Sequence, residues 1–487
     1  MTNFEFIKQL EARRLRGVEV FSSRTPKVAI TDVIESLPGE LGSWLVVEIL
    51  RSRRVSRSEL RAIDDMKPML SSRAMKALDQ AVAHNSLNHK SIYPQRFNFR
   101  TKPLRWRSVR GLPRKNCTKY YDGYSLIMPP ISVLHSDAPR ELWSGNCNIE
   151  SAILFEAQNI TTIIESDIFI DSKRKVYLDN NAWVGSKSEN FINDSSLLAM
   201  NTRYCLLSKV LKNDYAINKG FWLGYPLMDA WGHWVYEGLF RIEIFARHPE
   251  FSTSPVIISD AIPANFTELA SRIYPEISFL RLESGSTVLT KSLYVAPIRS
   301  FQPHNIHWSK NNENLKYNGD PELARDIRQR CLKLLQSDKT SEIKKSFPEK
   351  VYIARTASQY RKSRVTLILD KIAENNGFYK VDPGLLSSEE ELFLFLGAKE
   401  IFGQIGSGLF LSFLAQTGCK VLCVGSDFSH DANGWADMVE KVTGGKVDFI
   451  LGKRDFIADG FSEGLYHQDF TISAEAIEQI NSYLINS

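Results

Sequence analysis

Cysteine is scarce and dispersed in this chain of 487 residues: Cys117, Cys147, Cys205, Cys331, Cys419 and Cys423 are the six present. None forms a Cys-x-x-Cys pair or a metal-ligand spacing, so a disulfide scaffold and a zinc module are both excluded as expectations, and a reducing compartment is implied. Cys419 and Cys423 fall in an apolar run and read as same-face residues of a buried strand. Long apolar runs are lacking too. The best candidate, residues 406–424, is broken by Gln416, Thr417, Gly418 and Lys420, short of the roughly 18–20 uninterrupted residues of a spanning helix. The start, Met1 to Phe6, has no apolar core behind a basic stretch, so a cleaved signal peptide is not expected. These absences predict a soluble cytoplasmic protein, at most peripheral at the inner face of a membrane.

One further absence is local. Residues 81–120 hold ten Lys and Arg and no acidic residue. Over the whole chain 61 basic residues face 56 acidic ones, but residues 1–120 carry 24 against 11 and the remainder 37 against 45. The small net charge thus divides into a basic N-terminal region and an acidic remainder, and the basic part suggests an anionic partner: nucleic acid, phospholipid headgroups or a phosphorylated substrate. It has no recognisable nucleic-acid fold signature, so no specific nucleic acid is expected.

What is present is a chain with 43% hydrophobic and 11% aromatic residues, long enough for two or three domains, each with its own core. Apolar residues at three-and-four spacing predict helices over residues 4–85, and residues 86–120 read as a polar connector. Short β-branched runs begin after residue 121, Thr161 to Ile170 among them. Strands and helices alternate after residue 220 and again after residue 350, which predicts parallel sheets covered on both faces. The expected organisation is a basic, mostly helical region over 1–120, an α/β domain over 121–337 and a second α/β domain over 338–487.

Three stretches carry candidate chemistry. In the first, Phe402-Gly403-Gln404-Ile405-Gly406-Ser407-Gly408-Leu409, a strand runs into a glycine turn and an apolar helix. Backbone amides there approach a ligand closely and the helix start favours negative charge, which suits phosphate. The turn lacks the Lys-Ser/Thr of a phosphate-binding loop, and a glycine-turned core loop fits it as well. The second, Val351 to Arg364, sends a buried strand into a loop with Arg355 at its end and Arg361, Lys362 and Arg364 beyond. Guanidinium groups so placed can grip a diphosphate through two parallel bonds; a solvated basic loop is the alternative. In the third, Met228 to Arg241, His233 and Glu237 are four apart. On a helix they share a face, so the carboxylate can orient the imidazole as a general base; a core histidine beside the Trp231 and Trp234 cluster is the alternative. His304 and His307, with no third ligand nearby, do not make a metal site, and His430 follows a strand that could border a cleft.

In this order the stretches resemble glycosyltransferase family 61. The resemblance covers about residues 150–430 and rests on Gly232-His233-Trp234 with Glu237 and Arg241, Leu293 to Pro297, Tyr352 to Arg355 with Arg361, and Leu386-Ser387-Ser388 leading to Glu390-Glu391. It ends on Ala398 and Gly406-Ser407-Gly408-Leu409. It implies a GT-B-like pair of Rossmann-like domains and an inverting, metal-independent transfer from a nucleotide sugar, a UDP-sugar first of all. The acceptor would be a glycan or lipid-linked molecule, as in bacterial capsule and surface polysaccharide synthesis, and no cofactor is implied. His233 and Glu237 would then be the catalytic pair, and Arg355, Arg361, Gln404, Gly406, Ser407, Gly408 and Glu390 the donor-binding set. The chain departs from many members at Ile405, where they have His, at Leu411, at Val365-Thr366, and at Glu237, where Asp is common. A catalytically silent α/β scaffold with a basic module for nucleic acid or anionic membrane is the competing expectation.

Overall fold

Strand-then-helix alternation is easiest to follow in the C-terminal half, where short apolar stretches such as Val351–Ile353 and Val421–Val424 are each followed by a helix. The structure is a computed structural model; apart from Val46 and Val82 it describes residues 104–138, 145–179, 196–200, 204–207, 212–299, 319–335, 348–355, 365–426, 432–454 and 470–486. The helices expected over residues 4–85 lie outside this set, except that Val46 and Val82 are each helical and buried.

The first strands come from the basic segment expected as a connector. β1 (Leu104–Ser108) and β2 (Arg114–Tyr121) are followed by β3 (Tyr124–Met128), β4 (Ser132–Ser136) and β5 (Gly145–Ile149). The connector reading fails from Leu104 onward for a simple reason. In β1, Arg105 and Arg107 point outward between half-buried Leu104 and Trp106, an alternation that resembles a polar tract when basic residues fill the solvent face. Next come β6 (Ala152–Ile163), β7 (Ile168–Ile170), β8 (Val176–Leu178), β9 (Leu197–Met200), β10 (Tyr204–Leu207) and β11 (Tyr215–Trp222). The run read as one strand over 161–170 is therefore two antiparallel strands, Thr161 facing Ile170. The turn between them is pinned by Glu165, at φ 64°, whose carboxylate accepts from Ser259 and Ser284.

After β11 the chain enters helix α1, built from the segments Trp231–His233, Trp234–Gly238 and Leu239–Phe245, the middle one a π turn. β12 (Val256–Ser259), α2 (Ala264–Ile273), β13 (Phe279–Leu282) and β14 (Thr287–Val295) follow. The described residues form an eleven-stranded sheet in the order β13-β12-β11-β14-β6-β7-β8-β1-β10-β9, with β2 also on β6. β13, β12, β11 and β14 run parallel, but β6 is antiparallel to β14 and to β2. This sheet is mixed, not parallel throughout as the sequence suggested.

Helix α3 (Pro321–Leu334) then leads to the second sheet. Asp320 caps it by accepting from the amides of Glu322 and Leu323, and Pro321 fits the first turn, where no amide is needed. The second sheet contains β15 (Lys350–Ile353), β16 (Tyr379–Val381), β17 (Glu400–Gln404), β18 (Lys420–Ser426), β19 (Lys446–Arg454) and β20 (Phe470–Thr471). Its helices are α4 (Thr366–Asn375), α5 (Ser388–Gly397), α6 (Ala432–Thr443) and α7 (Ala474–Asn486), with a 3-10 helix at Ser407–Leu414. The strand order is β16-β15-β17-β18-β19-β20. β15 to β19 are parallel, so the chain winds outward in one direction from β15 to β16 and in the other from β17 onward. That reversal lies between β15 and β17, and in open α/β sheets the crevice at such a point, beyond the strands' carboxyl ends, is where ligands bind. β4 joins this sheet from far upstream, parallel to β19. Cys423 is buried within β18 and Cys419 is buried just before it.

No helix among the described residues is long and apolar enough to cross a membrane.

Candidate active site

The glycine turn sits at the switch point. β17 ends at Gln404, Ile405 and Gly406 follow, and the 3-10 helix opens at Ser407. Two close approaches shape this turn. A Cβ on Gly403 would come within 3.1 Å of Ile353, and one on Gly408 within 3.3 Å of it, so glycine lets β17 and the turn lie directly against β15. Ser407 is exposed and Gly408 half-buried. Opposite the turn, Arg355 follows β15 by two residues and its Nη1 donates to the carbonyl of Ile405 at 3.0 Å. This hydrogen bond ties the arginine to the turn, beside the start of the 3-10 helix. Gln404 is 3% exposed and its Nε2 has no hydrogen-bond partner. A buried unpaired donor is uncommon in folded proteins, and here it stands at the end of β17.

α1 delivers the third stretch to the same place. Its first turn packs on the 3-10 helix: a Cβ on Gly232 would meet the Phe410 ring at 2.8 Å and the Ser407 Cβ at 3.5 Å. The Tyr236 hydroxyl donates to the Phe410 carbonyl at 3.2 Å, and the two rings lie 4.6 Å apart. His233, next to Gly232, is therefore a neighbour of the glycine turn. The π turn over Trp234–Gly238 adds a residue to the helical repeat, an irregularity frequent at functional sites. Gly238 makes room there, since a Cβ would crowd Trp234 at 3.1 Å.

His233 Nδ1 lies 2.7 Å from Glu237 Oε1, with side-chain exposures of 15% and 6%. Glu237 Oε2 is 3.7 Å from Arg241 Nη1. Arg241 in turn donates to Asp179 Oδ2 at 2.8 Å, to the Ala296 carbonyl at 3.1 Å and to the Glu237 carbonyl at 3.4 Å, and its guanidinium lies 3.9 Å from the centre of the Tyr225 ring. Burial opposes the Arg241 charge, but Tyr225, Asp179 and Glu237 outweigh it and raise its pKa. Burial also pushes the Tyr225 phenol well above its ordinary value.

Of the residues selected from the sequence, His233 and Glu237 stand together, and Arg355, Gln404, Gly406, Ser407 and Gly408 gather at the switch point beside them. Glu390 is engaged elsewhere. Its carboxylate accepts from the Ser387 amide and hydroxyl, both at 2.8 Å, while the Ser387 hydroxyl accepts from the Glu390 amide at 3.2 Å. This is a capping box at the start of α5, and those bonds lower the Glu390 pKa. Its neighbour Glu391 is buried, and desolvation pushes its pKa up to about 8. Arg361, Lys362, Arg364, His304, His307 and His430 lie outside the described residues. No group of three or more His, Cys, Asp or Glu suited to a metal ion occurs among the described residues. Asp179 was missed in the sequence; an acidic residue ending the apolar run Val176-Tyr177-Leu178 was the one available signal.

The described residues form an α/β protein of mixed sheets and helices, which is compatible with an α/β glycosyltransferase. Residues 231–422, about two fifths of the chain, are similar to the family described as Glycosyltransferase 61. No curated protein gives a significant match.

Proposed function

We propose that the protein is an inverting glycosyltransferase that moves a sugar from a nucleotide-sugar donor, a UDP-sugar first of all, to a glycan or lipid-linked acceptor in surface polysaccharide synthesis. The observation that carries this reading is the contact of α1 with the glycine turn, which sets His233 beside the crevice where Arg355 is tied to Ile405. The two sheets are read as a GT-B pair, with residues 338–487 holding the donor.

Inverting transfer is a single displacement: the acceptor oxygen attacks the anomeric carbon, the bond to the diphosphate oxygen breaks, and the hydroxyl proton passes to a base. His233 is assigned as that base through Nε2, because Nδ1 faces the Glu237 carboxylate. Glu237 orients the ring and supports the imidazolium as it forms. Negative charge grows on the leaving diphosphate, and fixed cations and amide dipoles stabilise it most where water is scarce. Arg355 and the Gly406-Ser407-Gly408 backbone fill that role, with Arg361 assisting. The unpaired Gln404 amide offers a further donor to the bound nucleotide. Glu390 caps α5 through Oε2, which leaves Oε1 to meet the nucleoside ribose.

A panel of nucleoside diphosphates and nucleotide sugars, read by thermal shift and by diphosphate release, tests this reading. Stabilisation by a nucleotide that is lost in Arg355→Ala supports it. No nucleotide effect, together with salt-sensitive retention on anionic vesicles, would replace it with the non-catalytic scaffold.

A further inference from the structure

The His233-Glu237 pair does not end at Glu237. It continues into the protein through Arg241 to Asp179, which lies at the end of β8 and outside the region matched by the family. Asp179 is itself held firmly: its second oxygen accepts from the Ile298 amide at 3.1 Å, its own amide donates to the Asp167 carbonyl at 3.2 Å, and the residue is 1% exposed. Arg241 therefore has little freedom to turn. Its Nε, Nη1 and Nη2 are aimed at three separate acceptors, and Tyr225 covers its face.

We propose that Asp179, acting through Arg241, is a positioning residue that fixes the Glu237 carboxylate and sets the charge of the cluster that receives the acceptor's proton. The inference rests on the reading of His233 as the base. With His233 neutral, the buried groups Glu237, Arg241 and Asp179 sum to one negative charge. A proton on the imidazole brings that sum to zero, so the Asp179 charge balances the imidazolium that forms during the displacement. Without the Asp179 charge the same step leaves a buried net positive charge, which low-dielectric surroundings oppose. Arg241, released from one partner, would also swing onto Glu237 and compete with His233 for its carboxylate.

The test is kinetic, on the full chain. Asp179→Asn keeps the shape, removes the charge and turns its NH2 toward one of two donors, Arg241 Nη2 or the Ile298 amide. The expected result is a fall in kcat of about 10- to 100-fold, in the range of losses for groups that orient a catalytic side chain, with donor KM and nucleoside diphosphate binding unchanged. Asp179→Glu should recover part of that rate. Combined with His233→Ala, the Asn change should cost nothing further, because the base it serves is gone. Should Asp179→Asn fail to fold, Arg241→Lys keeps the charge, cannot hold both carboxylates, and is expected to show the same kcat loss. An unchanged kcat, a rise in KM alone, or an additive loss in the His233→Ala background would each overturn the proposal. Failure of the base assignment itself looks different: His233→Ala would then keep near-normal turnover whatever Asp179 does.

Discussion

Glu237 and Glu391 are buried to the same extent, each 5% exposed, and the protein treats them in opposite ways. Glu237 is bracketed by His233 and Arg241, and beyond Arg241 lies a second carboxylate. Glu391, in the first turn of α5, is raised to about 8 by desolvation alone, which keeps it largely uncharged at neutral pH. The contrast extends to their surroundings. On the α1 side the charges of Glu237, Arg241 and Asp179 are matched to one another, while the second sheet holds an unpaired amide at Gln404. Matched charges suit a proton acceptor whose position must not drift. Open hydrogen-bonding capacity suits a crevice that a polar ligand fills.

That contrast can be broken or sharpened by substitution. The largest effect is expected from His233→Ala, a loss of about 10²- to 10⁴-fold in kcat, the usual contribution of a general base, with nucleoside diphosphate affinity retained. Next is Glu391→Gln. The folded-state pKa of Glu391 is raised, so the stability it lends is fully present below the ordinary carboxyl range and is lost as pH rises through about 8. The Gln variant should match the parent near pH 4 and exceed it at pH 8 by on the order of 2–4 kcal/mol in denaturant titrations. Equal stability at both pH values would mean that Glu391 is not neutral in the fold.

Arg355→Ala is expected to weaken nucleoside diphosphate binding by about 10- to 100-fold, the scale of one charge-assisted hydrogen bond of roughly 1.5–3 kcal/mol. If binding is unaffected, the donor side lies elsewhere. The smallest change is Gly232→Ala, whose Cβ would press on Phe410 at 2.8 Å. Overpacking of this kind costs about 1–3 kcal/mol, and it should lower kcat as well, because it pushes His233 away from the turn.

Part of the second sheet was legible in the sequence, because β15, β17 and β18 carry apolar stretches each followed by its own helix; β19, β20 and the distant β4 were not. β1 and β2 were not, since their outward faces are filled with arginine and lysine. Glu165 bends the chain between β6 and β7 at positive φ, stabilised by serines from β12 and from the β13-β14 connection, and no local pattern reports such distant partners. The site divides in the same way. His233 and Glu237 could be paired from their spacing, and Ser387-x-x-Glu390 carries the signature of a capping box. Asp179 could not be placed, because only the fold carries the end of β8 to the side of α1. The switch point depends on strand order, which is a property of the sheet and not of any one strand.

The account stands most directly on a side-by-side measurement of the parent protein and His233→Ala, recording both diphosphate release from nucleotide sugars in the presence of acceptor and binding of the nucleoside diphosphate. The expected result is turnover by the parent, loss of turnover in the variant, and equal nucleotide affinity in both. Turnover that survives in the variant, or nucleotide affinity that falls together with it, would contradict the assignment of His233 as a base separate from the donor site.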